Sequence, residues 1–436
     1  MAERIDRRSF LARGAVTGAG IVALGAGGGL LEACSSNSST PPSGGTSHVP
    51  VPSADPAQSA AIETVVQAQM KQLHLRAALV RVTVDGKEIH TNAYGESMTG
   101  VPATIDMHFR NGAVAIAYVA TLLLVLVDEK KVSLDDKASK WVPEIPHSDE
   151  VTLGQLAQMT SGYPDYVLGN IPVDMMIEND PYRQWTPQEL LATVTSKPLL
   201  YPPGTNWNYA HTNYLILGLA LEKVAGKKME DLMQEKVLGP LGLTNTSGNK
   251  GTPTIPEPVL HAFTSERRSY LGIPDGTRFY EDSTFWNPSW TITQGAIQTS
   301  DIYDLDTTAK AIGTGKLLSR DSYQKMVSTA LRGKTTKLPD APTSLVQGDR
   351  YAYGLGIITT GDWLVQSPLF SGEAGAFAYL PSKKAAVSVA VTMAEDAFLP
   401  DGSYKPEIDG NAGDMLWRQI AATVVPNDAP PPRQAL

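Results

Sequence analysis

Residues 109–136 read FRNGAVAIAYVATLLLVLVDEKKVSLDD, and this stretch decides how the whole chain is interpreted. Its centre, Ala113–Val127, is fifteen residues long, and Thr121 is the only clearly polar residue in it. A membrane-spanning helix needs about 20 apolar residues, so the stretch is too short to cross a bilayer. A helix that is apolar on every side is stable when other protein surrounds it. The sequence therefore predicts a helix buried at the centre of a large folded domain.

Composition excludes several classes of protein. The chain has 436 residues, 42% of them hydrophobic, so it is too apolar for a disordered protein and long enough for one large domain with sub-domains. A net charge of −9 and the lack of a Lys/Arg stripe argue against nucleic acid as a partner. The single cysteine excludes an internal disulfide framework, and the seven histidines form no HxxxH or HExxH pair. We therefore expect no metal site and no cofactor.

The first 33 residues predict an export signal rather than a part of the fold. Two adjacent arginines open the segment RRSFL at residues 7–11, and a Gly/Ala-rich apolar run follows over residues 14–31. The run ends in Leu-Glu-Ala-Cys, so the only cysteine, Cys34, stands where a bacterial lipoprotein signal is cut and lipidated. We expect a twin-arginine lipoprotein signal peptide over residues 1–33. The protein would then be exported and anchored by lipid on the extracytoplasmic side of the cell membrane.

The rest of the chain predicts a tether, a folded body and a short tail. Residues 34–57 are rich in Ser, Pro and Gly, which predicts a flexible tether, and residues 426–436 predict a loose tail. Within residues 58–425 the periodicity predicts helices over 58–76 and 411–424, and strands over 79–84, 87–94, 353–359, 362–369 and 385–393. The expected fold class is α/β in the α+β arrangement. An antiparallel sheet flanked by helices comes from about 58–110 and 350–425, and an all-helical sub-domain from about 111–345.

Several motifs occur in an order that resembles a known family. After the buried helix come MTSGYPDY at 159–166, Pro-Gly at 203–204, WNY at 207–209 and TNYLILG at 212–218. Together with residues 109–136, this set resembles the penicillin-recognising serine hydrolases: class C β-lactamases, D-alanyl-D-alanine carboxypeptidases and related esterases. The resemblance covers about residues 60–425. It implies a β-lactamase/penicillin-binding-protein-like fold and a site built for attack on an amide or ester carbonyl.

The resemblance also implies three catalytic motifs, and this chain departs from each. The family's Ser-x-x-Lys turn, which supplies the nucleophile and its amine, falls on Ala113 and Ile116. In the Tyr-x-Asn element Tyr209 is retained, but His211 replaces the asparagine. The third motif, His-x-Gly or Lys-x-Gly in the family, matches Glu373 best. Loss of a serine nucleophile typically lowers kcat about 10⁶-fold, which is about 8 kcal/mol of barrier.

Three functions follow as alternatives from these departures. The first is a catalytically disabled relative that binds a cell-wall peptide or another envelope ligand. The second is an enzyme that uses Tyr209, His211 and Glu373 without an acyl intermediate, with the carboxylate beside the imidazole in one cleft. The third is a serine hydrolase whose nucleophile has moved to the Ser-x-x-Lys matches at Ser322 or Ser247, both of which we expect at the surface. We favour the first, in which the three polar residues bind a ligand or merely fill space.

Loop aromatics could line the same cleft or pack the loops onto the core. The sequence leaves both roles open for Trp207, Tyr163, Tyr166, Phe285, Trp286 and Trp290. It also leaves open the ligand and the oligomeric state. Ser161 and Thr160, inside the MTSGYPDY motif, are expected to form and cap a turn.

Overall fold

The computed structural model describes residues 48–49, 51–248, 252–408 and 410–434. The predicted signal peptide, Cys34 and most of the predicted tether lie outside these residues. No helix in the described ranges is both long enough and apolar enough to span a membrane.

Helices and strands occur in the order expected for an antiparallel sheet interrupted by a helical insertion. The helices are α1 Pro56–Gln72, α2 Val114–Asp128, α3 Leu153–Gln158, α4 Ile171–Asn179, α5 Pro187–Ala192, α6 His211–Ala225, α7 Met229–Met233, α8 Gly239–Leu241, α9 Ile302–Thr314, α10 Arg320–Met326 and α11 Ala412–Val424. The strands are β1 Leu75–Val84, β2 Lys87–Met98, β3 Val101–Pro102, β4 Phe109–Arg110, β5 Ser247–Gly248, β6 Phe263–Thr264, β7 Glu281–Asp282, β8 Gln298–Ser300, β9 Ala352–Tyr353, β10 Ile358–Thr360, β11 Trp363–Gln366, β12 Leu369–Phe370, β13 Glu373–Leu380 and β14 Ala385–Met393.

The main sheet is antiparallel and joins strands from the two ends of the chain. Its order is β3-β2-β1-β14-β13-β11-β10-β9, with β12 paired to β13. Strand β1 pairs with β14 from Leu75↔Met393 to Val84↔Ala385, so residues more than 300 positions apart form its centre. The insertion between the two halves is mainly helical, and it also holds two small sheets, β4-β8-β5 and β6-β7. The expected antiparallel sheet flanked by helices is confirmed, whereas the part of the chain expected to be all-helical also contains the short strands β5 to β8.

Both faces of the sheet are buried. Because successive side chains point to opposite faces, each strand contributes to two separate cores. On one face Val80 and Val82 pack with α1 and α11, whose Ile62 and Trp417 are fully buried. On the other face Ala77 and Leu79 belong to the core that contains α2 and α6. Helix α2 itself is buried on all sides, as the sequence predicted, except near its end, where Val125 and Val127 are half-buried and Asp128 is exposed.

Two predicted boundaries were wrong. The first helix ends at Gln72, and residues 75–76 already belong to β1, because His74 takes a left-handed conformation (φ 51°) and reverses the chain. The His74 ring is held there by Asp396 at 2.7 Å and Glu407 at 3.1 Å.

The predicted loose tail is held in place over its described part, up to residue 434. The indole Nε1 of Trp363 donates to the carbonyl of Asp428 at 2.9 Å, and Arg418 donates to the carbonyl of Pro431 at 2.7 Å. Arg433 pairs with Asp414 at 3.1 Å. The Pro-rich composition favoured an extended chain, and these three contacts attach that chain to β11 and α11.

Helix α11 approaches β13 so closely that the contact requires glycine. A Cβ on Gly413 would lie 2.7 Å from the backbone of Gly375. We expect Gly413→Ala to lower the free energy of unfolding by about 1–3 kcal/mol, because the helix must move off the sheet. Gly348→Ala is the matched control, since a Cβ there meets nothing within 4 Å. Urea unfolding followed by circular dichroism measures the difference, and equal midpoints for the two variants would contradict the prediction.

Candidate active site

The start of α2 is a tight turn that presents Ala113. Gly112 has a positive φ of 43°, and a Cβ there would lie 2.6 Å from Pro368. Ala113 is the N-cap of α2 and is half-buried. Ile116 lies one turn further along the helix and is 2% exposed. The two positions that resemble the family's serine and lysine therefore carry apolar side chains at the buried end of the helix.

Tyr209 and His211 flank the start of α6 and contact each other. The carbonyl of Tyr209 accepts a hydrogen bond from the hydroxyl of Thr343 at 2.8 Å, and His211 is the first residue of α6. Their rings meet edge to face, with centroids 5.3 Å apart and an interplanar angle of 88°. Burial, followed by the charge of Asp165, raises the pKa of the Tyr209 phenol well above its ordinary value. The phenol is therefore neutral at physiological pH and can donate a hydrogen bond.

The carboxylate beside the imidazole is that of Asp165. Nδ1 of His211 lies 2.9 Å from Oδ2 and 3.2 Å from Oδ1 of Asp165. Asp165 is held in turn by the backbone N–H of Val167, which donates to Oδ1 at 3.0 Å. The side chains are 13% exposed for His211 and 2% for Asp165. The sequence predicted Glu373 as the carboxylate beside His211, and the structure has Asp165 there instead.

Glu373 instead fastens two strands together. It begins β13, and its Oε1 accepts a hydrogen bond from the backbone N–H of Arg110 on β4 at 3.1 Å. Arg110 directly precedes the turn into α2, so this bond fixes the entry to the helix. Burial raises the pKa of Glu373 to about 8, against the opposing effect of the Arg110 charge. Glu373 therefore carries a proton over most of the range below pH 8.

Aromatic rings surround His211, and they continue towards Ala113. The Tyr166 and Trp290 ring centroids lie 6.0 Å and 6.1 Å from that of His211, and Phe370 lies 5.7 Å from Trp290. A Cβ on Gly112 would lie 3.5 Å from the Phe370 ring. We call Tyr166, Tyr209, His211, Trp290 and Phe370 the ring cluster. All of them except Tyr166 are partly exposed, so the ring cluster forms an accessible surface beside the start of α2.

The remaining loop aromatics pack the loops rather than face this surface. Trp207 is fully buried between Tyr351 and Tyr353, with centroids at 5.6 Å and 5.4 Å. Tyr163 is also fully buried, and its hydroxyl donates to the carbonyl of Pro146. Trp286 packs against the guanidinium of Arg267, and Phe285 against His261.

The other serines are occupied or remote from the ring cluster. Ser322, expected at the surface, is 3% exposed, and its hydroxyl donates to Asp128 at the end of α2, at 2.7 Å. Ser247 is exposed on the short strand β5. Ser161 is fully buried; its hydroxyl donates to Asn213 and accepts from the N–H of Tyr163, which is the expected turn.

A metal ion has no evident site in the described ranges, since they contain no group of three or more His, Cys, Asp or Glu side chains arranged to hold one. The ring cluster has one ion pair of its own, Asp165 with His211. Tyr209 and His211 supply hydrogen-bonding groups on the ring cluster.

Comparison with known proteins identifies the family. The beta-lactamase family model matches residues 62–409. This chain belongs to the beta-lactamase family. Among curated relatives, it is 31% identical over 194 residues to penicillin-binding protein 4 of Amycolatopsis lactamdurans, covering 43% of this chain and 47% of the relative. It is also 31% identical over 207 residues to a beta-lactamase of Lysobacter lactamgenus, covering 46% and 50%. The chain thus spans about half the length of these relatives.

Solved structures show the same fold. The D-amino acid amidase of Ochrobactrum anthropi SV3, complexed with D-phenylalanine, superposes with a TM-score of 0.68 at 19% identity, covering 84% of this chain and 99% of that one. A D-stereospecific amidohydrolase of Streptomyces sp. superposes with a TM-score of 0.63 at 24% identity, covering 77% and 94%. The family and fold inferred from the motifs are confirmed.

Asp165, which contacts the ring cluster at His211, and Phe370, which belongs to the cluster, are the two site residues that the sequence analysis did not single out. Asp165 lies inside the MTSGYPDY segment, which we interpreted as a turn. The signal that was missed is the joint presence of Asp165 in the MTSGYPDY motif and His211 in the Tyr-x-Asn element. A histidine in place of the asparagine needs a hydrogen-bond acceptor nearby, and an aspartate can supply it.

The raised pKa of Glu373 predicts a pH dependence of stability. A carboxyl group titrates near 4.3 when unfolded and here near 8, so its stabilising effect is present in acid and is lost as the pH rises from about 4.3 to about 8. Glu373→Gln keeps an acceptor for the Arg110 N–H but does not titrate. We expect the melting temperature of the wild type to fall relative to that of the variant as the pH rises through this window.

Differential scanning fluorimetry of both proteins measures this difference. Glu178, whose pKa burial also raises to about 8, is present in both proteins, and so its effect cancels. Parallel curves from about pH 5 to about pH 9 would contradict the assignment.

Proposed function

We propose that this protein is an exported, lipid-anchored member of the beta-lactamase family that binds an envelope ligand, such as a cell-wall peptide, without forming an acyl-enzyme. One observation carries the proposal: a methyl group at Ala113 and a sec-butyl group at Ile116 occupy the first turn of α2, where the family needs a hydroxyl and an amine. The half-buried Ala113 lies beside an accessible surface of rings, so a binding surface is retained where the nucleophile is absent.

The surroundings of α2 support a non-covalent role. Ser322, the best placed alternative serine by motif, gives its hydroxyl to Asp128. A lysine at position 116 would bring a charge to a place that is 2% exposed, whereas isoleucine needs no partner there. The two replacements are therefore consistent with each other and with the packing.

Covalent labelling tests the proposal directly. We expect neither a fluorescent penicillin nor a fluorophosphonate probe to label the wild-type protein, and nitrocefin to remain intact. The double variant Ala113→Ser with Ile116→Lys should acquire penicillin labelling, whereas Ala113→Ser alone should not, because the serine then lacks its base. Stoichiometric labelling of the wild type at any serine would overturn the proposal, and Ser322→Ala and Ser247→Ala would show which serine reacts.

Export and lipid anchoring of the protein can be tested independently of ligand binding. The pattern of twin arginines followed by Leu-Glu-Ala-Cys supports export and lipidation at Cys34. We expect the wild type in the membrane fraction of a bacterial host and Cys34→Ala in the soluble extracytoplasmic fraction. Recovery of Cys34→Ala in the membrane fraction at wild-type levels would contradict the anchor, and replacement of Arg7 and Arg8 by lysine tests the export route separately.

A further inference from the structure

The Asp165–His211 pair has the geometry of a proton-transfer dyad. An ionised carboxylate can only accept hydrogen bonds, so Nδ1 of His211 carries the proton that lies between them at 2.9 Å. In the neutral ring the lone pair is then on Nε2. That nitrogen makes no hydrogen bond to a described residue, and it is not among the buried unpartnered atoms of the described ranges. It is therefore open to a ligand or to water.

Tyr209 offers a second open group on the ring that contacts His211. Its hydroxyl makes no hydrogen bond within the described ranges. It is also not among the buried unpartnered atoms there, whereas the hydroxyls of Tyr351 and Tyr353 are. Burial and the Asp165 charge keep the phenol protonated, so it is a donor. The site thus offers one acceptor, Nε2 of His211, and one donor, the hydroxyl of Tyr209. The two rings that carry these groups have centroids 5.3 Å apart.

The apolar neighbours indicate what kind of molecule fits beside the dyad. Trp290 and Phe370 form the apolar wall on the side of Gly112 and Ala113. A short apolar acyl group would be buried against these side chains. An ester suits the site better than an amide, because an alkoxide or phenolate leaves the tetrahedral intermediate more easily than an unprotonated amide nitrogen.

We propose that His211, positioned by Asp165, activates a water molecule for direct hydrolysis of a carboxylic ester with a short apolar acyl group bound at the ring cluster. Nε2 takes one proton from water while the water oxygen bonds to the acyl carbon. The carbonyl oxygen becomes an oxyanion and receives a hydrogen bond from Tyr209. The ester C–O bond then breaks, the proton on Nε2 passes to the leaving alcohol oxygen, and a carboxylic acid and an alcohol result.

The inference rests on the proposed function, because it needs a site that binds its ligand without a covalent intermediate. It also assigns distinct roles to the residues. His211 and Tyr209 are the catalytic residues, Asp165 is a positioning residue, and Glu373 stays outside the proton path because its carboxyl group is bound to Arg110. The titratable groups that face His211 are Asp165, Tyr166 and Tyr209; the other ring neighbour, Trp290, does not titrate.

Hydrolysis of p-nitrophenyl butyrate by the purified protein tests the inference. We expect steady turnover without a burst, slower in D₂O, and an unmodified protein mass throughout. His211→Ala should lower kcat/KM about 100-fold, the usual effect of losing a general base, and added imidazole should restore part of the rate. Asp165→Asn and Tyr209→Phe should lower kcat while leaving KM nearly unchanged.

The chain offers a matched control pair. Nδ1 of His261 lies 2.9 Å from Asp282, and its side chain is 13% exposed, the same distance and exposure as for His211. His261→Ala should keep the wild-type rate, and melting temperatures show whether each variant is folded. The inference is overturned if folded His211→Ala and Asp165→Asn hydrolyse the ester as fast as the wild type, or if imidazole restores nothing. A butyryl group bound covalently to the protein would instead overturn the proposed function.

Discussion

Burial of α2 from Val114 to Leu126 is the constraint on which the rest of this structure depends. The polar groups in this part have partners: the Thr121 hydroxyl donates to the Ala117 carbonyl at 2.8 Å, and Tyr118 bonds to Thr308 at 2.6 Å. The other side chains of this part are apolar, so the sheet and the helical part must both close around them. A Cβ on Gly356 would lie 2.5 Å from Ala120 and 2.9 Å from the carbonyl of Ile116, which shows how tightly the helix is enclosed. Because α2 cannot shift, Ala113 has a fixed place beside the ring cluster.

Few charged groups lie around Ala113 and the ring cluster. No lysine is present at position 116, and the acid at position 373 is occupied by the Arg110 N–H and largely protonated below pH 8. The charge that remains at the ring cluster belongs to Asp165, which lies against His211. Isolated buried charges are costly, whereas an apolar pair at 113 and 116 needs no compensation. The surface next to α2 is therefore apolar on the side of Trp290 and Phe370 and hydrogen-bonding on the side of Tyr209 and His211.

The sequence predicted the fold well because its determinants are local or ordered along the chain. The apolar run from Ala113 predicted a buried helix, the alternating patterns over 79–84 and 87–94 predicted strands that lie within β1 and β2, and the motif order predicted the family. The partners of the site residues could not be predicted in this way. Asp165 contacts His211, which lies 46 residues further along the chain. Glu373 contacts Arg110, on a strand from the other end of the chain. Neither pairing follows from a local pattern. Likewise, the pattern around Ser322 resembled an exposed helix, and only the tertiary contact with Asp128 buries it.

The hydrogen bond between Glu373 and the Arg110 N–H restricts which residues can replace Glu373. Any residue that replaces Glu373 must offer an acceptor to a buried backbone N–H, and leaving such a group unpaired costs about 1–3 kcal/mol. Glutamine can meet this demand. Lysine, one of the two residues the family uses in its third motif, has donors only. Any substitution at position 373 therefore has to keep the acceptor for Arg110 if the junction between β4 and β13 is to remain intact.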